Sequence, residues 1–377
     1  MKKKSLLFRA TGMKSWAGGI YYIKTMIYSL LQNEDFTGKF RIVALVDQEY
    51  AEVFDEFRNQ IRIEINKNGQ SNLRVFIRVI YCAIRNRSRF IFPQWDHYFF
   101  KYLGITAISW IPDFQHNYYP EFFSEAELNE RSTQFLRVAR AKNPLVLSSM
   151  SAKNDLLKYY HPERNNIHLV HFVSYIEKEI KELTKAAEEM ILSKFAVYEN
   201  GYICICNKFW QHKNHKVVIQ AIMHMIAKKE NDIPLFVFTG ELEDHRNQEY
   251  INELKGLMEN DLVKAHIKVL GFISRKEQIA LMKNAALIIQ PSLFEGWGTV
   301  LEDAKVLDKS VLLSDIPVHR EQMNANCTLF DPNNPNDLCE KLEECLRKEH
   351  KSDTDLGILN MQKEALAYSK EFVRIVR

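Results

Sequence analysis

The chain alternates short apolar runs with longer stretches in which apolar residues recur at helical spacing. In the first half the short runs fall at Ser5–Arg9, Phe40–Val46, Ile61–Ile65, Phe90–Phe92, Ile105–Trp110 and Leu145–Ser148. Segments of helix length separate most of them, among them Gly19–Leu31 and Glu125–Ala141. A Lys- and Glu-rich stretch, Glu177–Lys194, interrupts the pattern. It restarts with runs at Tyr202–Cys206, Leu235–Thr239, Ile267–Leu270, Ala286–Gln290, Ser310–Leu313 and Thr328–Phe330. Strands alternating with helices predict parallel sheets with crossover helices. The chain reads as α/β, with two doubly wound domains, 1–175 and 176–354, meeting near Tyr175. A last helix over 355–377 carries Leu356, Leu359, Ala365, Leu366, Phe372 and Val373. Such sheets bind ligands beyond the carboxyl ends of their strands, and two of them facing each other make a cleft.

The length, 377 residues, suits two domains, since single cores rarely grow past roughly 250 residues. A composition 46% apolar and 26% charged is that of a folded globular chain. A net charge of +3 is too weak to point to nucleic acid, and no nucleic-acid partner is expected. No run approaches the ~18 apolar residues of a membrane span. The apolar start Leu6-Leu7-Phe8 after Lys2–Lys4 is too short for a secretory signal, so a cytoplasmic protein is expected. The six cysteines, Cys82, Cys204, Cys206, Cys327, Cys339 and Cys345, lack paired zinc spacing and read as thiols of a reducing compartment. Cys204 and Cys206 alternate with isoleucines and share one face of a strand.

The segment Gln290-Pro-Ser-Leu-Phe-Glu295-Gly-Trp-Gly298-Thr299-Val300-Leu301-Glu302-Asp-Ala304 follows an apolar strand and opens a helix. A helix N-terminus presents unpaired N–H groups and partial positive charge, which favours a phosphate at Gly298–Leu301. Glu295 and Glu302 frame the turn, and a carboxylate can accept two hydroxyl hydrogen bonds, as sugar or ribose diols require. On spacing alone the segment is equally a plain helix start with Glu302 as a surface charge. A second segment, Cys206–His215, also runs from a strand into a helix and holds Lys208 and Lys213 five apart. Two cations there suit a leaving diphosphate, or are solvated loop lysines.

The first of these segments resembles the donor motif of glycosyltransferase family 4, a glutamate pair around a Gly-aromatic-Gly turn. The resemblance implies that Glu295 faces the transferred sugar and Glu302 the donor ribose, while amides of Thr299, Val300 and Leu301 hold the diphosphate. The family places seven residues between the glutamates, and this chain has six. Lys208 and Lys213 resemble the family's basic pair, with Lys in place of Arg. Thr239-Gly240-Glu241 and Gly271-Phe272-Ile273-Ser274 follow strands, and the resemblance sets Gly271 and Phe272 beside the base. Gly18-Gly19, in Ala10–Tyr22, resembles the family's glycine loop near diphosphate and acceptor. The segment Ile108–Phe123 resembles one that carries His-Asp and then Pro-Glu-aromatic-Phe. Asp113 takes the aspartate, Pro112 stands at the histidine, and His116 of the same loop either does the histidine's work or simply caps the chain. The cap around Ser148 and Ser149 also resembles the family.

The resemblance implies a GT-B fold: two Rossmann-like domains facing across a cleft, acceptor binding in the first, donor binding in the second, and the last helix crossing back onto the first. It implies retaining hexosyl transfer from a nucleotide diphosphate sugar, without metal or other cofactor, to a glycan or polyprenyl-linked acceptor of surface polysaccharide, lipopolysaccharide or capsule synthesis. A nucleotide-sugar epimerase of the same fold and a non-catalytic sugar-nucleotide-binding scaffold are the alternatives. Asp353-Thr-Asp355, a metal signature in another fold, sits in a polar loop and reads as a helix cap. Arg74, Arg78, Arg85 and Arg89 are expected on one side of a helix from about Leu73. That basic stripe reads either as a contact for an anionic membrane surface, with peripheral association, or as the solvated face of a buried helix.

Overall fold

The computed structural model describes residues 3–12, 17–67, 71–95, 97–162, 166–228, 233–348 and 351–377. The chain forms two compact units: residues 1–114, 124–175 and 362–377, and residues 115–123 with 176–361.

In the first unit β1 (Lys4–Ala10), β2 (Phe40–Asp47), β3 (Arg62–Asn66), β4 (Ser88–Phe92) and β5 (Thr106–Ala107) form a parallel sheet in the order β3-β2-β1-β4-β5. A second parallel set, β6 (Ser109–Ile111), β7 (Leu145–Leu147) and β8 (Ile167–Leu169), runs in sequence order. The expected strand Ile105–Trp110 is one extended segment that changes partners at Ile108. The Ile108 N–H reaches Ile91 of β4, whereas the Ser109 N–H turns to Pro144 beside β7. Leu7, Val43, Leu45 and Ile91 pack against Val75, Val79, Cys82 and Ala83 of the helix Asn72–Arg85.

That helix ends at Arg85, so Arg89 lies on β4, where its guanidinium donates to the Gly104 carbonyl. Arg78 pairs with Glu64 at 3.2 Å. The expected four-arginine stripe is therefore broken. Leu73, Ile77, Tyr81 and Ile84 are exposed instead, as are Tyr98 and Tyr102 of the neighbouring helix His97–Tyr102.

In the second unit β9 (Tyr202–Cys206), β10 (Leu235–Thr239), β11 (Ile267–Val269), β12 (Leu287–Gln290), β13 (Val311–Ser314) and β14 (Cys327–Phe330) form a parallel sheet in the order β11-β10-β9-β12-β13-β14. This is the Rossmann order, which reverses direction between β9 and β12 and so opens a crevice at their carboxyl ends. Ile203, Ile205, Phe236, Phe238 and Ile289 form the core with Val218, Ile219 and Ile222 of the crossover helix His215–Ala227. Cys204 and Cys206 share one buried face of β9, their sulfurs 3.3 Å apart.

The last helix spans Thr354–Val376. Asp353 caps it by accepting the Leu356 N–H at 3.0 Å, as the sequence suggests. Gly357 permits its start to pack on the helix Thr299–Val306, because a Cβ there would lie 2.1 Å from the Val306 carbonyl oxygen. Further along, Phe372 stacks on Phe8 at 6.1 Å and meets Phe92 edge-on at 5.2 Å, and Ser369 accepts from Asn33 at 2.9 Å, all within the first unit.

Candidate functional site

The carboxyl ends of β9 and β12 are tied by side chains. Asn207, just after β9, donates to the Gln290 carboxamide at 2.8 Å. Gly240, with φ +109°, lets the loop after β10 pass close by, since a Cβ there would lie 2.3 Å from the Asn207 carbonyl oxygen. The chain after Asn207 makes a short turn, Gln211–Lys213, and enters the next helix through Asn214 in the left-handed region. The Asn214 carboxamide donates to the carbonyls of Pro291 and Pro332, and the Leu293 N–H reaches the His212 carbonyl at 2.7 Å. These bonds hold the two sequence motifs side by side.

Lys213 and Glu295 meet there. The Lys213 ammonium lies 2.6 Å from Glu295 Oε1, with the two side chains 16% and 10% exposed. The same oxygen accepts from Ser292 at 2.7 Å and from Gln290 at 2.9 Å. Burial alone would push the Glu295 carboxyl up, but the charge of Lys213 and the hydrogen bonds from Lys213 and Ser292 outweigh it and hold the group at about 2. Glu295 is thus a carboxylate at any physiological pH, an acceptor and not an acid. Lys208 differs: half-exposed, it makes a looser 3.5 Å pair with Glu241 and lies 5.5 Å over the Trp210 ring.

The helix Thr299–Val306 begins after Gly298. Its first-turn amides, Thr299, Val300 and Leu301, have no acceptor within the helix. Glu302, read from spacing as a candidate surface charge, is instead buried, 3.2 Å from the Lys305 ammonium. Next to it Asp303 forms a two-pronged pair with Arg275 at 2.7 and 2.6 Å, which anchors the helix against the helix Arg275–Asn284. Gly271 follows β11 with φ +70°, and Phe272 beside it is exposed.

His116 is buried in the short helix Gln115–Tyr118, in the second unit. The segment 115–123, grouped with the first half in the sequence reading, lies on the loops just described. Tyr118 packs 5.2 Å from Phe294, Phe122 lies 6.1 Å from His212, and Arg246 stands 5.0 Å over the Phe122 ring. Lys208, Lys213, Glu295, His116, Gly271, Phe272 and Gly298–Glu302 therefore fall in the second unit, and Gly18, Gly19 and Asp113 in the first. Gly18 and Gly19 begin the helix Ala17–Leu31, while Met13–Trp16 of that loop lie outside the described residues. Ser149 caps the helix Met150–Tyr160 through the Ala152 N–H, and Ser148 accepts from the Trp110 indole at 2.9 Å.

The sequence reading missed a third loop, the one after β13. Ser314 donates to the Ser292 carbonyl. The helix Pro317–Gln322 then brings in two buried polar side chains, His319 and Gln322. A carbonyl can only accept, so the 2.9 Å contact to the Ser314 oxygen puts the proton of His319 on Nδ1. Burial lowers its pKa. Gln322 spans Gly298 and Glu302. The available signal was the cluster His319-Arg-Glu-Gln322 soon after the predicted strand Ser310–Leu313.

The architecture, α/β with parallel sheets in two Rossmann-like units, resembles that of the GT-B glycosyltransferases, whose members include solved relatives of this shape. A glycosyltransferase from Rickettsia africae aligns with 98% of this chain and 94% of its own, at a TM-score of 0.66 and 17% identity. Anabaena HepE in complex with UDP-glucose aligns with 98% of this chain and 96% of its own, at a TM-score of 0.66 and 15% identity. Residues 189–358, which hold every second-unit motif above except the 115–123 segment, match the family described as Glycosyl transferases group 1. An uncharacterized glycosyltransferase of Methanocaldococcus jannaschii is 23% identical over 214 residues, 49% of this chain, and the match spans 61% of that relative.

Proposed function

We propose that the protein is a glycosyltransferase that binds a nucleotide diphosphate sugar in its second unit and transfers the sugar with retention to a glycan or polyprenyl-linked acceptor. The observation that carries this reading is the Lys213–Glu295 pair, seated at the β9/β12 switch point beside the helix start at Gly298. The match of residues 189–358 to group 1 glycosyl transferases supports it. The UDP-glucose bound by the similarly folded HepE favours a nucleotide-sugar donor.

In the proposed reaction the diphosphate lies on the first-turn amides of Thr299, Val300 and Leu301. Lys213 and Lys208 offset the charge that develops as it leaves. Glu295, always ionised, accepts sugar hydroxyls, and Glu302 accepts ribose hydroxyls. Gly271 and Phe272 flank the base. Gly18, Gly19, Asp113 and His116 serve diphosphate and acceptor. The acceptor hydroxyl attacks from the face that the phosphate leaves and passes its proton to that phosphate. No protein nucleophile and no metal take part. Surface-polysaccharide assembly, of lipopolysaccharide or capsule, is the proposed setting, on the cytoplasmic side.

Membrane contact is proposed for the first unit. Among the described residues no helix is long and apolar enough to cross a membrane. What supports peripheral contact is the exposed row Leu73, Ile77, Tyr81 and Ile84, with exposed Arg74 and Arg85 on the same helix. Apolar and aromatic groups with cations on the same helix suit an anionic bilayer. Flotation with phosphatidylglycerol vesicles at low salt tests it: protein that stays at the bottom of the gradient refutes it.

The activity is tested by thermal shift with EDTA present, against UDP, GDP, ADP and dTDP and their sugar conjugates, followed by product analysis with and without acceptors. Stabilisation by one nucleotide series and acceptor-dependent transfer are expected. A new sugar nucleotide formed without acceptor means an epimerase. Binding with no turnover means a scaffold. No shift in folded protein removes the donor site.

A further inference from the structure

Gln322 is buried, and its carboxamide makes three hydrogen bonds. Its Oε1 accepts the Gly298 N–H at 3.0 Å. Its Nε2 donates to the Gly298 carbonyl at 2.7 Å and to Glu302 Oε1 at 2.8 Å. The orientation is forced, because an N–H needs an oxygen opposite and a carbonyl or carboxylate needs a donor. Both hydrogens of the amide nitrogen are used, so its donor capacity is spent.

Two consequences follow for the start of the helix Thr299–Val306. Gln322 takes the Gly298 N–H, so that amide is already engaged and the first-turn amides of Thr299, Val300 and Leu301 are left to meet an anion. It also grips one oxygen of Glu302, a buried carboxylate that rotates about three side-chain bonds. Lys305 touches both oxygens of Glu302, at 3.2 and 3.4 Å, but a flexible ammonium fixes charge better than direction. The planar carboxamide, anchored at both Gly298 groups, sets the direction.

We propose that Gln322 is a positioning residue of the nucleotide site, holding the Glu302 carboxylate so that its second oxygen is presented to the ribose hydroxyls of a nucleoside diphosphate. This deepens the reading of the second unit as a nucleotide-sugar site and rests on it. A side chain 20 residues beyond Glu302 in sequence, on the helix after the next strand, thereby sets the geometry of a residue of the donor motif.

The test is Gln322→Glu, a replacement of nearly the same shape. At pH 8 an ionised carboxylate at 322 donates nothing and faces Glu302 with like charge. Calorimetric titration with UDP, GDP, ADP and dTDP first finds the nucleotide that wild type binds. For that nucleotide, loss of a hydrogen bond to a charged group predicts a Kd raised roughly tenfold or more at pH 8. As the pH falls to 5.5 the carboxyl at 322, raised by its carboxylate neighbour, takes a proton and can donate again. Its affinity relative to wild type should then recover. Gln322→Ala should show the loss without the recovery, and it carries the test if Gln322→Glu does not fold. A purely structural role predicts no pH-dependent rescue. Nucleotide binding within twofold of wild type at pH 8, or equal loss at both pH values in Gln322→Glu, overturns the proposal while leaving the nucleotide site standing. Wild type that binds none of the four nucleotides overturns both.

Discussion

Lys213 and Glu295, 82 residues apart in sequence, form a 2.6 Å ion pair that is almost closed to solvent. Removing one partner strands the other. Lys213→Ala should therefore cost roughly 3 kcal/mol of stability, as expected for a charge left unpaired in a buried site. Lys208→Ala, which breaks a longer and half-exposed pair with Glu241, should cost less than about 1 kcal/mol. Urea unfolding of both variants measures the contrast, and equal losses would contradict the difference in burial.

The same two lysines should separate in the reaction from Glu302. Lys208→Ala should lower kcat by about a hundredfold with little change in nucleotide Kd, as expected for a cation that acts on developing charge. Glu302→Ala should raise the nucleotide Kd about tenfold. Steady-state kinetics paired with calorimetry distinguish them. Unchanged affinity in Glu302→Ala would remove the ribose assignment.

Acid should weaken the fold over two overlapping pH windows. Burial lowers the pKa of His212 well below its usual value of 6.5 and that of His215 to about 3. In the unfolded chain these rings take up protons near pH 6.5 while the folded ones stay neutral, so stability falls as pH drops from about 6.5. Glu295, held at about 2, keeps its contribution above its unfolded value near 4.5 and loses it between there and 2. His215→Phe, placing another ring against Phe209, should flatten the fall in the first window, and Glu295→Gln that in the second. Urea midpoints from pH 7 to pH 3 measure both.

Gly357→Ala should destabilise by about 1–3 kcal/mol, because its Cβ would collide with the Val306 carbonyl at 2.1 Å and force the last helix away. Gly38→Ala, whose added Cβ meets nothing within 4 Å, is the control. Thermal unfolding of the two variants compares them.

Period and run length were enough to locate most of the strands. Tyr202–Cys206 and Leu235–Thr239 stand where the apolar runs stand, because a buried parallel strand is written locally in its own residues. β8 escaped notice because Ile167-His168-Leu169 is three half-buried residues at a sheet edge, without a run to mark it. Spacing from Arg85 continues a helical stripe and so predicts Arg89 on the helix. The chain turns out of that helix at Asn86 and Arg87, and no periodicity records that turn.

The donor motif and the basic loop were legible one by one, as a strand followed by glycines, carboxylates or lysines. What each charge does was not. Whether Glu302 is a surface charge or a buried one, whether Lys213 faces solvent or Glu295, and that the segment 115–123 packs with the second unit all depend on what arrives from elsewhere in the chain. Gln322 is the clearest case: one polar residue among many in sequence, it reaches Gly298 and Glu302 only because β13 lies beside β12 and the helix after β13 folds back over the motif. Local pattern determines which segments become strands and helices, since the hydrogen bonds of a helix and the faces of a strand are set by neighbours in sequence. The partners of a buried charge are set by packing between segments, and that only the tertiary structure decides.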